Sequence, residues 1–161
     1  MIEIVRAEEK HVIEMGKLWW EFMLFHQKFD PWFTPREGSI PGFEENQVRR
    51  LMKSENGLVL VAIDKGNIVG YSLSEIRGPS VAFERDTWVY VDDMAVTQKY
   101  RRKGVGEKMF ATILRWSQSK NIYRIELQTA SQNLIANSFW KKQGFKVYMH
   151  TLFRETRDGL R

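Results

Sequence analysis

The chain has 161 residues, 43% of them hydrophobic, with ten Phe, six Trp and five Tyr, which suits one well-buried domain rather than two. It has no cysteine, which excludes disulfides, thiolate metal sites and a covalent thioester on cysteine, and its three histidines (His11, His26, His150) are too scattered for zinc-ligand spacing. A formal charge of +5 favours anionic partners in general; the longest apolar run, Leu58 to Ile63, is too short to span a bilayer, and Met1 to Arg6 holds no signal core, so a cytoplasmic protein without a membrane partner is expected.

Ile2 to Arg6 reads as an edge strand. From about Glu8, Val12, Met15, Trp19, Phe22 and Phe25 or His26 form a stripe at helical spacing that reaches Phe29. Trp20, Met23 and Leu24 fill the other side, so this helix needs cover from more than one neighbour. Asp30-Pro31-Trp32-Phe33-Thr34-Pro35 breaks it and opens an aromatic loop through Gly38 and Pro41-Gly42. A second helix follows, with Phe43, Gln47 or Val48, and Leu51 or Met52 at helical spacing and Asn56-Gly57 at its end. Leu58 to Ile63, the turn Asp64-Lys65-Gly66-Asn67 and Ile68 to Ile76 make a hairpin. Arg77 to Asp86 is a longer loop that leads into a third antiparallel strand, Thr87 to Val96.

The stretch from Thr87 to Trp116 organises the chain. Its β-branched and aromatic strand passes through Thr97 to Tyr100 into Arg101-Arg102-Lys103-Gly104-Val105-Gly106, after which Val105, Met109, Thr112 and Trp116 recur at helical steps. The glycines let a ligand approach the backbone where the helix's first N–H groups point outward, and three cationic side chains stand beside them. A pyrophosphate suits that place. An ordinary connection carrying a solvated basic patch would have the same pattern. The Gly-x-x-x-x-Gly-Lys-Ser/Thr of a nucleotide-triphosphate loop and the third glycine of a dinucleotide fingerprint are both absent.

The helix runs to about Lys120, and Ile122 to Thr129 is a strand reached by a parallel crossover. Ser131, Gln132 and Asn133 can cap a final helix whose Ile135, Ala136, Phe139 and Trp140 face inward, and Gln143-Gly144-Phe145 ends it as a left-handed glycine cap. Phe145 to Phe153 reads as a last strand, which leaves a single domain over 1–153 and a polar tail over 154–161.

Arg101-x-x-Gly104-x-Gly106 resembles motif A of the GCN5-related N-acetyltransferases (GNAT). Asn133-x-x-Ala136-x-x-Phe139-Trp140-x-x-x-Gly144-Phe145 resembles their motif B. The resemblance covers residues 1 to 153. It implies a mixed α/β fold, a mostly antiparallel sheet with one β-α-β crossover, flanked by four helices. It further implies acetyl-CoA as co-substrate, no metal, and direct transfer to a primary amine of unidentified acceptor. By the same resemblance Met94, Ala95 and Val96 pair with the pantetheine arm, and an N–H at or near Met94 polarises the thioester carbonyl. Arg101, Arg102, Lys103, Gly104, Val105, Gly106 and Glu107 hold the pyrophosphate, Asn133 bonds the pantetheine, and Trp140 flanks the acetyl end.

Two positions depart from the family. Trp140 stands where many members have a tyrosine that protonates the leaving thiolate, and an indole N–H is a very poor acid. Gln128 and Tyr90 stand where members place a glutamate base. With strict alternation, Tyr90, Asp92 and Met94 share one face and Asp93 the other. Asp92 is then the candidate base, with Glu126 and Glu21 behind it, and its alternative role is a strand-end carboxylate that balances Arg101 and Arg102. Tyr148 is a conceivable replacement acid. Trp20, Phe25, His26, Asp30, Trp32 and Phe33 are acceptor-side candidates or simple packing residues. Two rival functions remain open: a coenzyme-binding sensor of the same fold without turnover, and a basic nucleic-acid-binding domain, for which no recognition motif is present. A lone final strand and a broadly apolar first helix suggest a homodimer.

Overall fold

The computed structural model describes residues 1–79, 81, 82, 84 and 86–154. It has two units, Met1–Ala130 and the segment that begins at Ser131. The first unit holds a five-stranded sheet in the order β1-β2-β3-β4-β5. The strands are β1 (Glu3–Arg6), β2 (Gly57–Asp64), β3 (Asn67–Arg77), β4 (Trp88–Val96) and β5 (Ile125–Leu127). The first four pair antiparallel and β4 pairs with β5 in parallel, so the mixed α/β architecture with one crossover is as expected. No helix among the described residues is long and apolar enough to cross a membrane.

Helix α1 (Val12–His26) buries Val12, Met15 and Trp19. At ~1.5–3 kcal/mol for each large apolar side chain, that stripe holds the helix to the sheet. The helix ends three residues earlier than expected: Phe29 belongs to the turn that follows, with its N–H on the His26 carbonyl. The second helix is one continuous run of α2 (Ile40–Phe43), a π-helical turn (Glu44–Arg49) and α3 (Arg50–Lys53). It starts earlier than the sequence reading placed it, because Pro41 sits in the first turn, where a missing N–H costs nothing. Trp19 stacks on Phe43 at 4.7 Å, and both join Val48, Leu51, Val59, Val61, Tyr71 and Leu73 in one core cluster.

The hairpin between β2 and β3 turns on Lys65 (φ 51) and Gly66 (φ 79), the two left-handed residues that a two-residue loop demands. Helix α4 (Val105–Ser119) covers the other face, where Val105 and Met109 pack on Ala62, Val69, Met94 and Val96. β5 is shorter than the expected Ile122 to Thr129. Ile122 is buried, yet its carbonyl accepts from the Ser117 hydroxyl instead of extending the strand.

In the second unit, α5 (Leu134–Lys142) is capped by Asn133, whose Oδ1 accepts from the Ala136 N–H at 3.1 Å, and Gly144 (φ 89) ends the helix as anticipated. Ile135, expected to face inward, is exposed. The final strand is a correction. Residues 145–154 form no strand, and Val147, Met149, Leu152 and Phe153 are exposed. Their alternation suits a strand, but a strand also needs a partner for its backbone groups. The rest of the expected tail, 155–161, lies outside the described residues.

Candidate active site

β4 ends at Val96, and a 3-10 turn (Gln98–Tyr100) carries the chain to Arg101. The Tyr100 hydroxyl donates to Asp64 Oδ2 at 2.9 Å, which ties this turn to the β2–β3 hairpin. Arg101 is turned back toward the strand end: its Nε donates to the Val96 carbonyl at 3.1 Å, and its guanidinium carbon lies 5.0 Å from the centre of the Phe25 ring. Arg102 and Lys103 are exposed, with Lys103 Nζ 5.1 Å from the Tyr100 ring centre. Gly104 adopts φ 77, and a Cβ built there would meet nothing within 4 Å, so the space ahead of α4 is open.

Among the described residues no side chain caps α4. The Lys108 N–H takes the Gly104 carbonyl, which leaves the N–H groups of Val105, Gly106 and Glu107 without a helical acceptor. Exposed Glu107 is the acidic side chain of that first turn. Three aligned donors, the positive end of a fifteen-residue helix and two exposed cations suit a diphosphate, and no neighbour crowds the Gly104 Cα.

The neighbouring strand edge is open as well. β4 pairs with β5 only through Val89, Tyr90 and Val91. Beyond Val91 the one strand that pairs with it among the described residues is β3, so from Met94 to Val96 the other edge is open to an extended amide-bearing chain, apart from the Val96 carbonyl that Arg101 Nε holds.

The register between β3 and β4 alters the expected faces. Ser74 pairs with Val91 and Leu73 with Asp93, so Asp92 is the extra residue of a β-bulge. Tyr90 opposes Glu75 whereas Met94 opposes Ser72, and residues 72 and 75 of β3 point to opposite faces. Strict alternation therefore fails here. Met94 turns toward α4, while Asp92 and Asp93 both lie on the side of Tyr71, Glu75 and Arg77.

Asp92 Oδ1 accepts from Arg77 Nη2 at 2.6 Å, and Arg77 also pairs through Nε with Glu75 at 2.8 Å. Its guanidinium lies 3.6 Å from the centre of the Tyr90 ring, and Arg50 from α3 closes on Glu75 at 3.1 Å. The partner of Asp92 is thus Arg77 rather than Arg101 or Arg102. Its other oxygen, Oδ2, is buried and has no hydrogen-bond partner among the described residues. Burial pushes the Asp92 carboxyl up to about 6 against the pull of Arg77, with Glu75 adding to the rise. Asp93 is pushed further, to about 7, by burial and by the neighbouring Asp92, while the Tyr71 hydroxyl donates to its Oδ2 at 3.4 Å.

The remaining candidates are more ordinary. Gln128 lies just past β5 and is exposed, Glu21 is exposed on α1, and Glu126 accepts from Arg124 Nε at 2.6 Å. His26 Nδ1 meets the Phe22 carbonyl at 2.8 Å within an edge-to-face group with Phe22, Phe25 and Phe29. Trp20 packs on the core. Asp30 is committed to a turn, accepting from the Trp32 N–H at 2.9 Å, whereas the Trp32 ring is 81% exposed and Phe33 half exposed. In the second unit Trp140 is buried edge-on to Phe139 and Phe145, and Tyr148 is exposed. Sequence reasoning missed Asp93, Tyr71 and Arg77. The adjacent acids were visible, but the bulge that brings both to one face is a property of the pairing.

A model of the "Acetyltransferase (GNAT) family" matches residues 15–145. Over 133 residues the chain is 20% identical to "Aminoglycoside N(6')-acetyltransferase type 1" of Salmonella typhimurium, covering 80% of this chain and 92% of that protein. In structure it is similar to a mutant of the BH1408 protein from Bacillus halodurans, with TM-score 0.85 and 21% identity over 96% of this chain and 99% of that one. It is also similar to AAC(6')-Iy in complex with the bisubstrate analogue CoA-S-monomethyl-acetylneamine, with TM-score 0.73 and 16% identity over 98% and 99% of the two chains. The sheet order, the uncapped helix after β4 and the matched residues agree, and the chain belongs to the GNAT acetyltransferase family.

Proposed function

We propose that this chain is an acetyl-CoA-dependent N-acetyltransferase that moves the acetyl group directly to a primary amine. The observation that carries the reading is the uncapped N-terminus of α4 beside the open edge of β4. The similar structure that holds a CoA-based bisubstrate analogue supports the choice of coenzyme, and the aminoglycoside acetyltransferase supports an amine acceptor. Acetyl-CoA supplies the acetyl group as an activated thioester. In the proposed site the N–H groups of Val105, Gly106 and Glu107 hold the pyrophosphate, with Arg102 and Lys103 alongside and Arg101 shaping the turn from behind. Met94, Ala95 and Val96 pair with the pantetheine, and the Met94 N–H faces the carbonyl oxygen where negative charge develops. Asn133 and Trp140, the motif B residues, belong to the second unit, where Asn133 Oδ1 caps α5 and leaves its amide Nδ2 as the donor.

An amine reaches neutral solution as an ammonium ion and must lose a proton before it attacks. Asp92 is the proposed base. Arg77 fixes its Oδ1, and the unpartnered Oδ2 is the atom to which an ammonium N–H would donate. With Trp140 unable to act as an acid, the thiolate departs on the strength of its own ordinary thiol pKa. Thiol release from acetyl-CoA, screened over aminoglycosides, polyamines, amino acids and lysine peptides, tests the assignment. Release with one amine class supports it. Coenzyme binding without release for any amine would favour the sensor reading, which the buried Trp140 motivates.

We also propose a cytoplasmic location, in keeping with the described residues, none of whose helices is long and apolar enough to cross a membrane. We also propose a homodimer in which the exposed apolar residues Val147, Met149, Leu152 and Phe153 find their cover. A monomer in a sizing measurement at high concentration would refute that assembly.

A further inference from the structure

This inference rests on the reading of Asp92 as the base. The bulge brings two carboxyl groups to one face of the sheet and gives them unequal company. Asp92 has a cationic partner, Arg77, at 2.6 Å, whereas Asp93 has a neutral one, the Tyr71 hydroxyl at 3.4 Å. Tyr71 is fully buried with its ring edge-on to Phe43, so that hydroxyl is held in place by the core. The charged or titratable groups around the pair are Tyr71, Glu75 and Arg77 of β3, Tyr90 of β4, Arg50 of α3 through its bond to Glu75, and Glu126 of β5 opposite Tyr90. Helices α1 and α2 pack apolar Met15, Trp19 and Phe43 into one core cluster with Tyr71 and Leu73 of β3. Two adjacent carboxyl groups in such a place do not ionise together readily, and their protons leave as a coupled pair. The deeper burial of Asp93 and the guanidinium beside Asp92 set the order: Asp92 ionises first and Asp93 keeps its proton.

We propose that Asp93 and Tyr71 are positioning residues that let the site receive an alkylammonium ion at constant charge. Between the two ionisation steps the pair of the waiting enzyme carries one proton, on Asp93, and one negative charge, on Asp92; above the upper step Asp93 is already ionised when the cation arrives. The arriving cation favours ionisation of Asp93, whose O–H bond breaks and whose proton goes to solvent while Tyr71 donates to the carboxylate left behind. Asp92 Oδ2 then takes a proton from the ammonium nitrogen, which becomes a neutral amine with a free electron pair. The pair again holds one proton and one negative charge, now with the proton on Asp92. One proton has passed to solvent for each amine made ready.

Carboxyl carbon NMR titration of aspartate-labelled protein tests the pair without any acceptor. The wild type should show two coupled steps, near 6 and near 7. Tyr71→Phe, which removes one oxygen atom and leaves the ring packing, should move the upper step to higher pH. Asp93→Asn should abolish the upper step and leave the lower one in place. An Asp93 that titrates in the ordinary carboxylate range, or an upper step unmoved in Tyr71→Phe, would overturn the proposal. The second readout is kcat/KM against pH with the amine that releases most thiol in the screen. The upper limb should follow the same shifts, with about a tenfold loss at pH 8 in Asp93→Asn. A uniform loss at every pH would mark a merely structural role and count against the proposal. Failure of the wild type to bind acetyl-CoA would retire the acetyltransferase reading itself, and the NMR result would still stand.

Discussion

Two places bracket the last five residues of β4, and they hold their chemistry in different ways. At the C-terminal end, the turn into α4 offers backbone N–H groups that the helix leaves over, and the side chains mainly keep clear or add charge. At the N-terminal end, the Asp92 bulge offers side-chain carboxyls whose behaviour depends on which neighbours the strand register brings to them. The first place needs only a glycine and a helix start. The second needs a pairing offset of one residue, an arginine from the adjacent strand and a tyrosine beneath. A backbone site tolerates many changes of side chain but not of backbone conformation; the bulge should show the reverse.

The largest expected effect is at Asp92. Asp92→Asn should lower kcat/KM for the amine by roughly 10²–10⁴-fold near neutral pH while leaving acetyl-CoA affinity in place, as calorimetry beside a thiol-release assay would show. Equal loss of both would mean that the two places are not separate.

Asp93→Asn should affect stability in a pH-dependent way. The folded-state value of Asp93 is raised from 3.8 to about 7, so the native state binds the proton more tightly than the unfolded chain. Stability is therefore lost as pH rises from about 4 to about 7 and stays lost above that. An uncharged asparagine removes the penalty. The variant should gain up to ~4 kcal/mol at pH 8, a ceiling that partial exposure lowers, and nothing at pH 3, by chemical denaturation. No gain at pH 8 would mean that Asp93 is not held out of water.

Arg77→Gln removes the charge that pulls Asp92 down, so the acid limb of the rate profile should move to higher pH, by about one unit or less given the partial exposure of the pair. An unmoved limb would separate Arg77 from the base. The smallest expected effect is on stability: Asn133→Ala, which deletes the cap of α5, should cost ~1 kcal/mol in thermal or chemical unfolding.

Legibility in the sequence follows the same division. Val105, Met109 and Trp116 announced α4 by their period, Gly104 and Gly106 marked its approach, and Asn133 with Gly144 bracketed α5; each is a local signal that a window of residues contains. The hairpin at Lys65-Gly66 was legible for the same reason. What failed was non-local. The alternating apolar residues of 145–153 predict which sides a strand would show, yet no described strand pairs with them. Asp93 was assigned to the wrong face because alternation holds only while the ladder is regular, and the offset is set by how Leu73 and Ser74 meet β4. The partner of Asp92 was misjudged likewise: Arg101 and Arg102 are near in sequence, but Arg77 arrives through the sheet.

The most direct measurement of the central claim is isothermal titration of acetyl-CoA into the wild type and into Gly104→Trp. Gly104 is left-handed with open space before it, so an indole there both strains the turn and fills the approach to the α4 donors. Binding to the wild type that weakens at least about 100-fold in the variant, with circular dichroism unchanged, is the predicted result. Equal binding to both proteins, or none to the wild type, would contradict a coenzyme site at this turn.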